Sequence, residues 1–226
     1  RLHRFGTHGS VKENLARYKV GQIASLSGRY YSMDRDQRLD RTKLAFDCIV
    51  KASGENYPDS QSAVSKSYQQ NLTDEFVLPC TIGDNPKATR IQAGDAAIFF
   101  NFRIDRPRQL TQMLKDSGIS DLRLVTMTKY RDDFNLPIIF SDNPIVDTLG
   151  EVISKSNLKQ LRAAESEKER FVTYYFNGLK EEPFAGEKRL IIPSPKIATY
   201  DLEPQMSTPE LIKSFSQEWI ADNYSF

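Results

Sequence analysis

"IFFNFRIDRPRQL", Ile98 to Leu110, begins with five residues that are apolar apart from one asparagine, then sets three arginines, Arg103, Arg106 and Arg108, within six positions. The apolar opening reads as a buried strand. Pro107 suits the first position of a helix, where its fixed φ is already helical and its missing N–H costs nothing. A strand, an arginine-rich turn and a helix in immediate succession make a β/α unit. Such units place ligands beyond the carboxyl end of the strand, where the next helix begins.

The same alternation runs through the chain. "GQIASLS" (Gly21–Ser27), "DAAIFFNF" (Asp95–Phe102), "DLRLVTMT" (Asp121–Thr128), "FVTYYFNG" (Phe171–Gly178) and "RLIIPSP" (Arg189–Pro195) read as short buried strands. Between them the spacing predicts amphipathic helices over Asp40–Ala52, Ser60–Gln70, Arg108–Asp116, Thr148–Ser156 and Pro209–Asp222. In the first, Leu44, Phe46, Ile49 and Val50 form the expected apolar face. The fold class is therefore α/β, with a mixed, largely parallel sheet flanked by helices. The one composition break is "IPSPKIATYDLEPQMSTPE" (Ile192–Glu210), rich in proline and without apolar periodicity. It reads as an extended connector, so residues 1–195 form one domain and 196–226 a connector plus a helix belonging to a neighbouring domain. The apolar face of that helix, Leu211, Ile212, Phe215 and Trp219, needs a partner.

The 226 residues carry a net charge of +1, so no global field points to nucleic acid or an anionic membrane, and anion binding must come from local clusters. No apolar run reaches the roughly 18–20 residues a membrane span needs, and "RLHRFGTHGS" lacks the apolar core of a signal peptide. The sequence has no initiator Met and reads as a piece of something longer. Cys48 and Cys80 have no metal-ligand spacing; they fit reduced thiols of a cytoplasmic protein, with a disulfide as the alternative. His3 and His8 lack a third ligand, so no metal site is expected there.

A second cluster, "SGRYYSMDRDQRLDR" (Ser27–Arg41), again follows a predicted strand and supplies Arg29, Arg35, Arg38 and Arg41. Carboxyl ends of parallel strands share one edge of a sheet, so the two clusters are expected side by side. Guanidinium forks there suit carboxylate and phosphate. The competing reading pairs the arginines with Asp105, Asp34, Asp36 and Asp40 on a solvated face. Tyr30 and Tyr31 are expected in packing rather than base stacking. Lys168, among Glu165, Glu167 and Glu169, reads by itself as a solvated helix end. There is no nucleophile elbow, phosphate-cradling glycine loop or dinucleotide fingerprint. The sequence supplies cations without an evident acid, base or nucleophile.

"GRYYSMDRD", "DEFVLP", "GDAAIFFNFRIDRPRQL", "LVTMTKY", "DTLGEVISKSNLKQLRAAESEK", "FVTYYFNG", "EEPFAGEKR" and "IPSPKIATYDLEPQMST" closely resemble the cofactor-independent (2,3-bisphosphoglycerate-independent) phosphoglycerate mutases. The blocks follow the family's order from Gly21 onward. The resemblance implies a two-domain enzyme of the alkaline-phosphatase superfamily that interconverts 3- and 2-phosphoglycerate in glycolysis and gluconeogenesis. Its phosphatase domain holds two manganese ions and a transiently phosphorylated serine, and an inserted transferase domain, which this chain matches, holds the substrate. On that likeness Arg29, Arg35, Arg103, Arg106 and Lys168 fall on substrate-binding positions. The serine nucleophile and all manganese ligands belong outside this chain, whose partners are phosphoglycerate and the phosphatase domain. The chain alone is then expected to be inactive.

Three departures stand beside the likeness. Phe171 occupies the place of a family histidine. The stretch after "LHRF" lacks the family's aspartate-bearing "DGRD" and is shorter. The sequence stops at "WIADNYSF", where family members run on into a metal-binding strand. These motivate an alternative expectation, a non-catalytic binding module that retains the fold.

Overall fold

A computed structural model of the protein describes residues 6–141, 143 and 145–226, with side chains from residue 11 onward. The expectation for His3 and His8 lies outside the described side chains. The chain divides into two compact units, Arg1–Ser141 and Asp142–Phe226. The composition break near Pro195 lies inside the second unit.

In the first unit the order is α1 (Gly6–Tyr18), β1 (Ser25–Leu26), α2 (Arg29–Ser32), α3 (Leu39–Lys51), β2 (Asn56–Tyr57), α4 (Ser60–Gln69), β3 (Cys80–Ile82), α5 (Pro86–Thr89), β4 (Ala96–Phe99), α6 (Arg108–Lys115) and β5 (Arg123–Thr126), with 3-10 turns at Asp74–Phe76 and Asp132–Phe134. The "IFFNFRIDRPRQL" stretch forms the expected unit. β4 and β5 pair in parallel, Ala96 with Arg123 through Phe99 with Thr126, and α6 makes the crossover. β4 is nevertheless not buried on both faces, because its sheet has two strands and Ile98 points outward, 62% exposed.

Helix α6 buries Leu110 and Leu114 against Leu124 of β5, and α3 adds Phe46, Ile49 and Val50 to that cluster. Leu44, expected on the same face, is half exposed; Thr42, Ala45 and Cys48 turn inward instead. Helix α4 starts at Asp59, whose carboxylate accepts the N–H groups of Gln61 and Ser62 at 2.8 and 2.9 Å. It satisfies two of the donors that every helix start leaves open. Cys48 and Cys80 are free core thiols, and burial pushes Cys48 up to about 11.

The second unit contains α7 (Leu149–Lys155), β6 (Gln160–Glu165), a 3-10 turn (Ser166–Lys168), α8 (Glu169–Val172), β7 (Glu187–Ile192) and α9 (Thr208–Ala221). β6 and β7 pair in parallel from Gln160 with Glu187 to Glu165 with Ile192. "FVTYYFNG" is not a strand: Val172 ends α8, and the residues after it form turns in which the Asn177 N–H bonds to the Thr173 carbonyl at 2.8 Å. Aromatic β-propensity yields here to local turn bonding. The strand of this region is instead "QLRAAE", built from good helix formers and therefore unread in the sequence. Its backbone is claimed on both sides, by β7 and by the Leu161 N–H to Phe226 carbonyl bond at 2.8 Å.

The architecture is α/β with predominantly parallel pairing, as expected, but among the described residues the strands are distributed over three small sheets, β1-β3-β2, β4-β5 and β6-β7. Among the described residues no helix is long and apolar enough to cross a membrane.

Candidate functional site

The two arginine segments of the first unit do meet, by a different route from the one expected. β1 is antiparallel to β3 in one sheet, and β4 belongs to another, so no common sheet edge aligns them. Direct packing of the Arg29–Arg41 segment on the turn before α6 joins them instead. Asp105 lies at the centre. The Arg103 Nε and Nη2 donate to its two oxygens at 2.5 and 2.9 Å. Arg35 Nη1 donates to Oδ2 at 2.9 Å from a position 70 residues earlier in the chain. Arg106 Nη1 donates to the Met33 carbonyl at 2.9 Å, closing a second link between the same segments.

A buried polar chain fixes this contact. Asp34 Oδ2 accepts the backbone N–H groups of Asp36 and Arg38 at 3.0 and 2.9 Å, wrapping the loop around itself. The same oxygen accepts Gln109 Nε2 of α6 at 2.9 Å, and Gln109 Oε1 accepts the Thr42 hydroxyl of α3 at 3.1 Å. Asp34, Gln109 and Thr42 are all buried. The competing sequence reading had Asp34 neutralise the arginines; the Arg41 guanidinium lies 3.9 Å from it, and its hydrogen bonds hold the loop. Gln109 escaped notice because one glutamine on an amphipathic helix carries no local signal.

Of the arginines, Arg103 and Arg35 face Asp105. They do pair with it, yet its side chain is only 2% exposed, so the contact is no solvated face. Burial acts to raise the Asp105 carboxyl. The hydrogen bonds and charges of Arg103 and Arg35 outweigh it and hold the group down at about 2. The carboxylate is thus ionised throughout the physiological range, and one negative charge is shared between two guanidiniums. Arg35 is largely buried in this contact, whereas the Arg103 side chain is 54% exposed.

Arg29 opens α2, the single turn that ends at Met33, and pairs with Glu75 at 2.7 Å rather than with Asp105. Its place depends on Gly28, whose N–H bonds to the Val77 carbonyl at 2.8 Å. A Cβ on Gly28 would sit 2.3 Å from the Glu75 carbonyl oxygen. Tyr30 packs edge-on to Tyr31 and lies under the Arg41 guanidinium at 3.8 Å, a packing role as expected. A cleft of about 350 Å³, lined by Leu44, Tyr57, Val77 and Cys80 among others, includes none of these arginines.

Lys168 belongs to the second unit, at the end of the 3-10 turn that follows β6. It is exposed, and its Nζ lies 5.9 Å from the Tyr200 ring centre. Phe171, one helical turn on, is 48% exposed and tilted against Tyr175 at 5.8 Å.

Chemically the first-unit site is a cation cluster with a built-in carboxylate, suited to holding an anion. Among the described residues no group of three or more His, Cys, Asp or Glu could hold a metal ion.

The chain is 46% identical over 225 residues to the 2,3-bisphosphoglycerate-independent phosphoglycerate mutase of Thermomicrobium roseum, covering 94% of this chain and 43% of that protein. It is 46% identical over 211 residues to the corresponding mutase of Haloarcula marismortui, covering 89% of this chain and 40% of that one. The chain thus spans less than half the length of these relatives. A crystal structure of Leishmania mexicana phosphoglycerate mutase at low cobalt concentration shares the fold with a TM-score of 0.88 at 20% identity, over 98% of this chain and 44% of that one. The family model described as BPG-independent PGAM N-terminus matches residues 6–132, more than half of the chain, and the chain therefore belongs to the 2,3-bisphosphoglycerate-independent phosphoglycerate mutase family.

Proposed function

We propose that this chain supplies substrate binding to a mutase that interconverts 3- and 2-phosphoglycerate in glycolysis and gluconeogenesis. Arg29, Arg35, Arg103 and Arg106 would hold the carboxylate and phosphate of the substrate, and Lys168 would contribute a further cation. The observation that carries this reading is the convergence of two distant arginine segments around buried Asp105 at the start of α6. Such clusters stabilise phosphoryl groups by position and charge, with little covalent chemistry of their own.

In this reading the phosphorylated serine and two manganese ions belong to the phosphatase portion of a longer cytoplasmic enzyme. The Ile192–Glu210 connector and α9 lead back toward that portion. The chain by itself binds and does not turn over.

Calorimetric titration of the chain with 3-phosphoglycerate tests the assignment. Saturable binding is expected, weakened at least about tenfold in an Arg103→Ala/Arg106→Ala double variant, since charged hydrogen bonds are worth about 1.5–3 kcal/mol each. Equal affinity in the variant would remove these arginines from the site. The second reading, a non-catalytic module, is favoured by the exposed Phe171 at the place where the family resemblance implies a histidine. It requires no phosphoglycerate binding even when a phosphatase portion is supplied in trans.

A further inference from the structure

The proline-rich stretch Ile192–Glu210 is not a loose connector. Its start is bonded to the turn that bears Lys168, and its end to Glu165 at the close of β6 and to Pro193. The β6–β7 ladder ends with Glu165 opposite Ile192. Beyond it, Pro193 and Pro195 have no N–H, so Ser194 carries the single backbone donor of that triplet. This N–H donates to Ser166 Oγ at 3.0 Å, and Ser194 Oγ in return accepts the Glu167 N–H at 3.0 Å. The exchange extends the ladder by one rung, through the first two residues of the Ser166–Lys168 turn. At the far end, the Ser207 N–H donates to Glu165 Oε2 at 3.2 Å and its hydroxyl to the Pro193 carbonyl at 2.6 Å. Ser194, Ser207 and Glu165 are 5, 6 and 8% exposed, so this base is a buried polar knot. The loop it closes carries Tyr200, whose ring centre is 5.9 Å from Lys168 Nζ, within cation–π range.

We propose that Ser194 and Tyr200 are positioning residues for Lys168. The Ser166–Ser194 exchange fixes the backbone of the turn, and the Tyr200 ring sets the direction of the ammonium. An exposed lysine on a flexible stem otherwise loses considerable side-chain entropy when it engages an anion. A base that is already knotted and a ring already in place reduce that loss. The consequence for phosphoglycerate rests on the reading of Lys168 as a substrate ligand; the placement of the lysine does not.

The test is the rate at which pyridoxal 5′-phosphate, trapped by borohydride, modifies Lys168 in the intact chain. Peptide mass spectrometry compares it with Lys180 and Lys188 of the same unit. A lysine side chain held against the ring must leave that contact before its amine reaches the aldehyde. Tyr200→Leu is therefore expected to speed Lys168 modification about threefold, the size of one exposed cation–π contact, with the reference lysines unchanged. Ser194→Ala is expected to do the same by releasing the turn, and Ser194→Thr and Tyr200→Phe to restore the parent rate. Unchanged Lys168 rates in both Tyr200→Leu and Ser194→Ala would overturn the proposal. So would acceleration of all three lysines in Ser194→Ala alongside an unchanged rate in Tyr200→Leu, because the serine would then serve the fold and not the lysine. Failure of the substrate reading shows separately, as a Lys168→Ala variant of the complete enzyme with unaltered KM and kcat.

Discussion

Asp105 and Gly28 show how much a single position decides. The Asp105 carboxyl titrates at about 2, below the roughly 3.9 of an unfolded chain. A group whose folded value is depressed stabilises the protein above its unfolded value, and loses that contribution as pH falls through the folded one. The Asp105 contribution is therefore complete above about pH 4 and gone near pH 2. It amounts to about 1–2 kcal/mol once solvent screening of the half-exposed Arg103 is allowed for. Urea midpoints at pH 7, 4 and 2.5 should fall less steeply for Asp105→Asn than for the parent. Parallel curves would mean that the pair adds nothing to folding. Gly28 is constrained by space and not by φ, which is an ordinary −64°. Alanine there must push apart two backbone segments, at a cost of roughly 1–3 kcal/mol. It should lower both the melting temperature and phosphoglycerate affinity although no charged group is touched.

At the scale of elements, the β4–α6–β5 crossover carries the site, and Gln109 ties it to the rest. Through Gln109, α6 grips the Asp34 loop and α3 together. Gln109→Leu keeps the helix and its volume but removes both bonds, leaving Thr42 and Asp34 short of a partner in a buried setting. The expected loss is about 1–2 kcal/mol in stability, with weaker phosphoglycerate binding because Arg35 rides on the loop that Gln109 holds. Calorimetry and denaturant titration of the same variant would separate the two effects; full affinity despite lost stability would place the loop's anchorage elsewhere. Much at this scale was legible. The helices over Asp40–Ala52, Ser60–Gln70, Arg108–Asp116, Thr148–Ser156 and Pro209–Asp222 each form within a residue or two of their expected ends, because apolar spacing and turn residues act locally. "QLRAAE" went unread because its strand pairing comes from neighbours distant in sequence, whereas "FVTYYFNG", expected as a strand, is taken up by local turn bonds.

For the whole molecule, the arginines belong to one compact unit and Lys168 to the other, and neither carries a described metal cluster. Purified chain assayed with manganese and 3-phosphoglycerate is expected to show no mutase turnover. Turnover should appear when a phosphatase portion from a relative is supplied. Activity of the chain alone at the level of full-length relatives would refute the division of labour proposed above.

The sequence by itself determined the α/β class, the strand–arginine–helix unit at Ile98–Leu110, five helices and, through motif likeness, the family. Each of these depends on residues close together in the chain. Only the tertiary structure decided that Arg35 and Arg103 share one buried carboxylate, that Asp34 and Gln109 hold the contact, and that the proline-rich stretch is knotted to the lysine turn. The bonds Arg35 to Asp105, Gln109 to Asp34 and Ser194 to Ser166 join residues 70, 75 and 28 positions apart, and hydrogen-bond pairing at that range has no period or propensity to announce it.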